Sequence, residues 1–188
     1  MKKIFYLSVI VFIFSCGNGE KKTIVISDPS PPIDSAMIHD PAVGNDLISV
    51  VKGITISNIN QFINPESGLW LIQTPGAVPN MTNTSQVDKN FPVDFSSAKN
   101  EELPKVNCDA KSFWTKEGCF VQQVNNFKDE KIWTYCGLKK EDEAKIEKLA
   151  QAVSLTVINT SLHARYYFSQ INEKWCLVFV DLRRPCAV

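Results

Sequence analysis

Apolar residues recur every three or four positions in three stretches of the chain, and this spacing predicts amphipathic helices. A first helix is predicted over 47–54 and a second, shorter helical piece over 59–63. The clearest helix is predicted over 140–153. Its buried face should be formed by Ile146, Leu149, Ala150 and Val153. Acidic residues at 141–143 stand in its first turn, where the helix dipole favours negative charge.

Short apolar runs bounded by turn residues predict the strands. The predicted strands are 69–74, 118–125, 131–137, 154–160, 164–171 and 174–182. Only Asn172-Glu173 separates the last two, which should therefore form a β-hairpin. On strict alternation, one side of the last strand carries Trp175, Leu177 and Phe179, and the other carries Cys176, Val178 and Val180. Both sides are apolar, so this strand should be central in the sheet and covered on each face.

The stretch from 75 to 106 is rich in proline, asparagine, serine and threonine, which predicts loops and at most one short strand. Together the elements predict an α+β domain with a mostly antiparallel sheet. One main amphipathic helix and shorter N-terminal helices should accompany that sheet.

The first fifteen residues have the pattern of a secretory signal peptide: a basic start, an apolar run over 4–14 and a small residue, Ser15. The run is too short to span a bilayer, which takes about 20 apolar residues. After it, Ile13-Phe14-Ser15-Cys16 resembles the lipobox of bacterial lipoproteins. That resemblance implies diacylglycerol on the Cys16 thiol and a further acyl chain, such as palmitate, on its amine.

The resulting organisation has three parts: a lipoprotein signal peptide at 1–15, lipidated Cys16 with a flexible tether at 16–45, and a single α+β domain at 46–188. The proline-rich composition of the middle part favours an extended tether. We expect the protein in the cell envelope, anchored by lipid to the outer membrane and facing the periplasm or the cell surface.

The balance of charged side chains indicates which classes of partner the protein could bind. The 188 residues include 20 basic and 20 acidic side chains, and removal of Lys2 and Lys3 with the predicted signal leaves a balance of minus two, which does not suggest a basic footprint for nucleic acid. The expected contacts are the membrane, through the lipid anchor, and an envelope protein, a glycan or a small apolar ligand.

Besides Cys16 the chain has five cysteines, so at least one must stay unpaired, and two bridges could be arranged in fifteen ways. If the strands at 118–125 and 131–137 form a hairpin with a four-residue loop, Cys119 lies opposite Cys136. A disulfide is therefore predicted between these two residues.

Two further cysteines, Cys108 and Cys186, lie in irregular segments and are candidates for a bridge that joins the C-terminus to the middle of the chain. Cys176 would then remain as a buried thiol. No metal site is predicted, because the sequence lacks the C-x-x-C and H-E-x-x-H spacings of zinc proteins. No cofactor is predicted either.

No nucleophile motif is found, and no catalytic residue is assigned. His163 could act as a base oriented by Asp181 or a tyrosine. Trp114 and Trp133 lie in polar surroundings and are therefore the candidates for a partly exposed surface that binds a partner, although ordinary packing of both is the favoured interpretation. The possible binding residues are thus Trp114, Trp133 and His163.

Residues 164–181, with the turn Ile171-Asn172-Glu173-Lys174-Trp175, resemble the closing hairpin of NTF2-like, cystatin-type α+β domains of envelope lipoproteins. A second likeness, to an uncharacterised family of Gram-negative lipoproteins, is carried by Leu103-Pro104, Cys108, Trp114, Gly118-Cys119-Phe120 and Pro185-Cys186-Ala187. The resemblance implies a possible NTF2-like fold. The function we expect is non-enzymatic binding or scaffolding in the envelope. The alternative is a small hydrolase or isomerase with an NTF2-like cavity around His163.

Overall fold

The computed structural model describes residues 41–186. The predicted signal peptide, Cys16 and most of the predicted tether lie outside the described residues. The first helix, α1, spans Pro41–Lys52 and begins within the segment assigned to the tether.

The other elements follow the sequence pattern closely, with one exception. The strands are β1 Leu69–Gln73, β2 Asn80–Thr84, β3 Cys119–Gln122, β4 Val153–Asn159, β5 Ala164–Ile171 and β6 Lys174–Asp181. Helix α2 spans Lys140–Ala152, and 3-10 helices span Ile59–Phe62 and Ile132–Tyr135. The second of these 3-10 helices replaces a predicted strand.

The described strands form one six-stranded sheet of order β2-β1-β6-β5-β4-β3. Strands β1 and β6 run parallel, and the four other neighbouring pairs are antiparallel. The α+β class and the mostly antiparallel sheet are therefore confirmed. So is the central position of β6, which lies between β1 and β5.

The turn between β5 and β6 is a two-residue hairpin turn. Both Asn172 and Glu173 have positive φ, 51° and 62°. This backbone matches the right-handed twist of the strands that it joins. The turn sets the register of the adjacent part of the hairpin, in which Ile171 lies opposite Lys174 and Phe168 lies opposite Leu177.

Apolar side chains cover both faces of the sheet. On one face α2 buries Ile146 and Ala150 against a cluster that includes Tyr167 and Phe179. The other face is covered by the end of α1, the first 3-10 helix and loop residues. That second cluster includes Val51, Ile54, Ile59, Phe95, Tyr166 and Leu177.

A β-bulge in β6 changes the predicted alternation. Tyr167 pairs with Phe179, but the next residue, Phe168, pairs with Leu177, so Val178 is an extra residue on β6. Phe179 consequently shares the α2 face with Cys176 and Val178, while Val180 shares the opposite face with Leu177. The predicted assignment of Phe179 and Val180 is wrong for this reason.

The predicted hairpin of 118–125 with 131–137, and with it the Cys119–Cys136 disulfide, is wrong. Strand β3 pairs instead with β4, where Cys119 lies opposite Asn159. The consecutive residues Ile132 and Trp133 are both buried, which suits a 3-10 turn and not an alternating strand. Cys119 and Cys136 pack against different clusters, on opposite faces of the sheet, and both are free thiols.

Candidate functional site

One end of the sheet carries a cluster of polar groups that no local sequence pattern connects. Because β1 and β6 are parallel, both end at this edge, and Leu182 N donates to Ile72 O at 2.9 Å. Strand β5 is antiparallel to β6 and begins at the same edge. The chain leaving β6 carries Arg183 and Arg184, and Arg165 lies close to the start of β5.

All three arginines of the chain line one pocket at this edge. The pocket has a cavity volume of about 290 Å³. Its remaining lining residues are Thr74, Val106, Pro185 and Cys186. No carboxylate is among these lining residues. We call this feature the arginine pocket.

Behind the pocket, the side chain of Asp181 is fully buried and holds two of the arginines in place. Its Oδ1 accepts hydrogen bonds from the Arg183 backbone N and Nε, at 3.0 and 2.8 Å. Its Oδ2 accepts from Arg183 Nη2 and Arg165 Nη1, both at 2.8 Å. The Arg183 contact is bidentate, a geometry that fixes the plane of the guanidinium as well as its position.

A second carboxylate, Glu130, contributes to the same network. Its Oε2 accepts from Arg183 Nη2 at 2.9 Å, and its Oε1 lies 3.9 Å from Arg165 Nη1. The hydrogen bond to Asp181, together with both carboxylate charges, raises the pKa of Arg183 above its ordinary value. Burial raises the pKa of the adjacent Tyr167 well above its ordinary value, and Glu130 adds to that shift. Arg183 therefore stays charged and Tyr167 stays neutral across the physiological range.

The predicted bridge between Cys108 and Cys186 is present, with the Cα atoms 5.6 Å apart. It attaches the segment that follows β6 to the loop at 107–113. Cys186 also lines the arginine pocket, so the bridge fixes one wall of it. The free thiol predicted at Cys176 is also present, and it is buried.

Both tryptophans considered as binding residues are buried, each with 3% of its surface exposed, as ordinary packing predicts, and the alternative of partial exposure is not found. The Trp114 ring lies 5.3 Å from Arg165 Cζ, in a cation–π contact. Trp133 packs 5.7 Å from the ring of Phe127. Trp114 thus supports an arginine of the pocket and offers no exposed surface of its own.

His163 lies in the turn between β4 and β5, with φ 49°. Its ring is 6.3 Å from that of Phe113, and its buried Nδ1 has no hydrogen-bond partner among the described residues. The carboxylate oxygens of Asp181 are taken by Arg165 and Arg183. The described residues therefore do not provide His163 with an orienting carboxylate or tyrosine.

The three free thiols lie in surroundings that suppress thiolate formation. Burial raises the pKa of Cys119 to about 12 and raises the pKa values of Cys136 and Cys176. A thiol that stays protonated is a poor nucleophile and a poor metal ligand. Among the described residues there is also no group of three or more His, Cys, Asp or Glu side chains that could hold a metal ion.

No protein-family model, curated protein or solved structure matches this chain. Over residues 41–186, no helix has the length and apolar character needed to cross a membrane. The arginine pocket thus has to be interpreted from its own geometry.

The sequence contains one signal that could have identified the pocket. It has seventeen lysines spread along its length, but its three arginines all fall within 165–184, on either side of the turn between β5 and β6. A hairpin brings the two ends of such a segment together. The contribution of Glu130, from a distant loop, has no comparable signal in the sequence.

Proposed function

We propose that this protein is a non-enzymatic binding protein of the bacterial cell envelope, and that the arginine pocket is its binding site for an anionic ligand. The observation that carries the proposal is the convergence of every arginine of the chain on one open pocket. Surface positive charge elsewhere in the chain is supplied by lysine. Arginine is the side chain best suited to geometric recognition of oxyanions.

Charge in the pocket supports an anionic ligand. Asp181 and Glu130 offset two of the three arginines, which leaves one net positive charge in the group. Arg184 is exposed and forms no hydrogen bond or ion pair with the other described residues. An acidic envelope protein, an acidic glycan or a small anion would supply the missing countercharge, whereas a small apolar ligand would leave it uncompensated.

The cellular location rests on the N-terminal sequence. The resemblance of Ile13-Phe14-Ser15-Cys16 to a lipobox supports lipid anchoring through Cys16, with the outer membrane as the proposed site. The disulfide between Cys108 and Cys186 is compatible with an oxidising compartment such as the periplasm. Within the α+β class, an NTF2-like domain stays a proposal that is supported by the β5–β6 hairpin and by α2 on one face of the sheet.

The alternative, a small hydrolase or isomerase acting through His163, stays a hypothesis. It requires a carboxylate or tyrosine within hydrogen-bond reach of the imidazole, as general acid–base catalysis does. The buried Nδ1 of His163, which has no hydrogen-bond partner within residues 41–186, is an observation that such a role could use. The arginine pocket, which His163 does not line, offers the better-built site.

Lipid anchoring is tested by Cys16→Ala in the native host. The substitution should move the protein from the membrane fraction to a soluble fraction or leave it as an unprocessed precursor that incorporates no labelled palmitate. Ser15→Ala, which keeps a small residue before the cysteine, is the matched control and should remain membrane-bound and labelled. Equal palmitate incorporation by the Cys16→Ala and control proteins would contradict the anchor.

Ligand binding is tested with the full chain purified in a nonionic detergent. Thermal unfolding is followed with small phosphate, sulfate and carboxylate compounds and with neutral polyols of similar size. A ligand that binds only the folded state raises the unfolding temperature as its concentration rises. We expect at least one anionic class to do so, with a smaller shift in Arg184→Gln than in Lys174→Gln, a control that removes one charge from the far end of β6. If no anionic compound shifts the transition, the proposed binding function is wrong.

A further inference from the structure

We propose that the arginine pocket recognises a phosphate group carried by a small organic ligand. The inference rests on the proposed binding function and adds the chemical class of the ligand. It depends on three features of the described residues: the kind of cation, the number and origin of the free donors, and the character of the remaining walls.

The kind of cation is informative because the chain has seventeen lysines and only three arginines. A site that needed only positive potential could use lysine, which is abundant and carries the same charge. Arginine adds a planar set of donors that matches the oxygens of phosphate and carboxylate groups. Selective placement of all three arginines in one pocket therefore indicates recognition of an oxyanion by hydrogen bonds.

The donors that remain free come from three separate guanidinium groups. Arg183 uses Nε and Nη2 for Asp181 and Glu130, which leaves Nη1. Arg165 uses Nη1 for Asp181, which leaves Nε and Nη2. All the guanidinium donors of Arg184 lack a partner among the described residues. Three donor groups on different chain positions suit the several oxygens of a tetrahedral phosphate better than the two coplanar oxygens of a carboxylate.

Two of these arginines are held rigidly before any ligand arrives. Asp181 is buried and accepts hydrogen bonds from both, and Trp114 lies 5.3 Å from Arg165 Cζ. Ordering a long cationic side chain on binding costs conformational entropy. Because the fold already orders Arg165 and Arg183, ligand binding avoids most of this cost for them. Arg184 is the exposed member and would close on the ligand.

The remaining walls indicate an organic portion beside the phosphate. Val106 and Pro185 are apolar, and Thr74 supplies a hydroxyl. The cavity volume of about 290 Å³ lies at the lower limit for small-molecule sites. It suits a ligand of the size of a glycerol or sugar phosphate. Such a group occurs in soluble phosphate esters and in phospholipid headgroups, and both share the chemistry proposed here.

The test uses isothermal titration calorimetry on the full chain in nonionic detergent. The probes are glycerol 3-phosphate, inorganic phosphate, malonate as a carboxylate of comparable size, and glycerol as the neutral control. We expect glycerol 3-phosphate to bind at least about tenfold more tightly than malonate, the difference that one additional charge-assisted hydrogen bond provides. Glycerol should not bind.

Two variants locate the site. Arg184→Gln should weaken glycerol 3-phosphate binding about tenfold, and Arg165→Lys, which keeps the charge but loses the planar fork, should also weaken it. Lys174→Gln should bind like the unmodified protein, and thermal unfolding without ligand confirms that each variant is folded. If both arginine variants are folded and bind as tightly as the control, the pocket is not the phosphate site and the inference is overturned.

The binding results distinguish a failure of the phosphate inference from a failure of the proposed anion-binding function. If malonate binds as tightly as glycerol 3-phosphate, the phosphate class is wrong while an anion-binding function stands. If none of the anions binds, both are wrong. Dihexanoyl phosphatidic acid, tested below its micelle concentration, distinguishes the two sources. If this lipid binds more tightly than glycerol 3-phosphate, the ligand is assigned as a lipid headgroup. If it binds equally or more weakly, the ligand is assigned as a soluble ester. Both results support recognition of phosphate.

Discussion

At the scale of single residues, Asp181 determines the arrangement of the candidate site. Its buried carboxylate would be costly without partners, because the interior of a protein solvates charge poorly. Four hydrogen bonds from Arg165 and Arg183 compensate that cost. The guanidinium donors of both arginines that do not bind Asp181 or Glu130 remain available to a ligand in the pocket.

Replacement of Asp181 by Asn should therefore destabilise the fold. Asp181→Asn keeps the shape of the side chain but leaves two partly buried guanidinium groups without their main countercharge. Loss of one partner of a buried ion pair costs about 3 kcal/mol or more. We expect a decrease of that size in the free energy of unfolding in urea, whereas Asp129→Asn, on the surface, should change it by less than about 0.5 kcal/mol. An equal, small effect of both substitutions would contradict the structural role of Asp181.

At the scale of elements, the bulge at Val178 determines which face of the sheet carries the network. Strict alternation would put Asp181 on the face of Trp175 and Leu177. The extra residue shifts Phe179 and Asp181 to the α2 face, where Arg165 and Tyr167 also lie. The arginine pocket thus depends on one irregularity in the pairing of β5 with β6.

The turn of the same hairpin offers a test of its backbone conformation. Glu173 has a φ of 62°, a region that is unfavourable for residues with a β carbon. Glu173→Gly should relieve this strain and produce an Asn-Gly pair, the preferred sequence for such a turn. We expect the free energy of unfolding to rise by about 1 kcal/mol.

The same substitution in a helix serves as the control for that prediction. Glu147 is exposed in the middle of α2, where glycine costs about 1 kcal/mol relative to a good helix former. Glu147→Gly should therefore lower the free energy of unfolding while Glu173→Gly raises it. If both substitutions lower it, the proposed turn geometry is wrong.

The elements that the sequence predicts well are those with local signals. Helix α2 and strands β1, β4, β5 and β6 follow from periodicity and turn residues, and their bounds agree with the predictions to within about two residues. The strand predicted over 131–137 is wrong because a short apolar run does not distinguish a strand from one turn of helix. The bulge at Val178 was missed because both of its flanks are apolar, so the sequence contains no change in pattern at that point.

At the scale of the whole molecule, the candidate site was only partly predictable. The position of Cys108 and Cys186 in irregular segments makes them candidates for a bridge, and the structure confirms this pair. The role of Glu130 depends on a contact with Arg183 across 53 positions, which no local pattern encodes. Burial of Trp114 and Trp133 likewise depends on tertiary packing, so the lysines beside them in the sequence do not indicate whether they are exposed.

The disulfide should contribute to global stability. It closes a loop of 78 residues, and in the chain-entropy model such a loop is worth about 4 kcal/mol. Cys108→Ser should lower the free energy of unfolding by an amount of that order. A reducing agent should have the same effect on the unmodified protein and no further effect on Cys108→Ser. An unfolding midpoint that is insensitive to both treatments would contradict the bridge.

The central claim is that the arginine pocket binds an anion. Because the chain has only three arginines, isotope-labelled arginine gives a nuclear magnetic resonance spectrum with only three side-chain Nε–H signals. Single substitutions at Arg165, Arg183 and Arg184 assign them. On titration with glycerol 3-phosphate, we predict saturable shifts of all three signals with one common dissociation constant. If all three signals stay in place up to an anion concentration of about 10 mM, the account is contradicted.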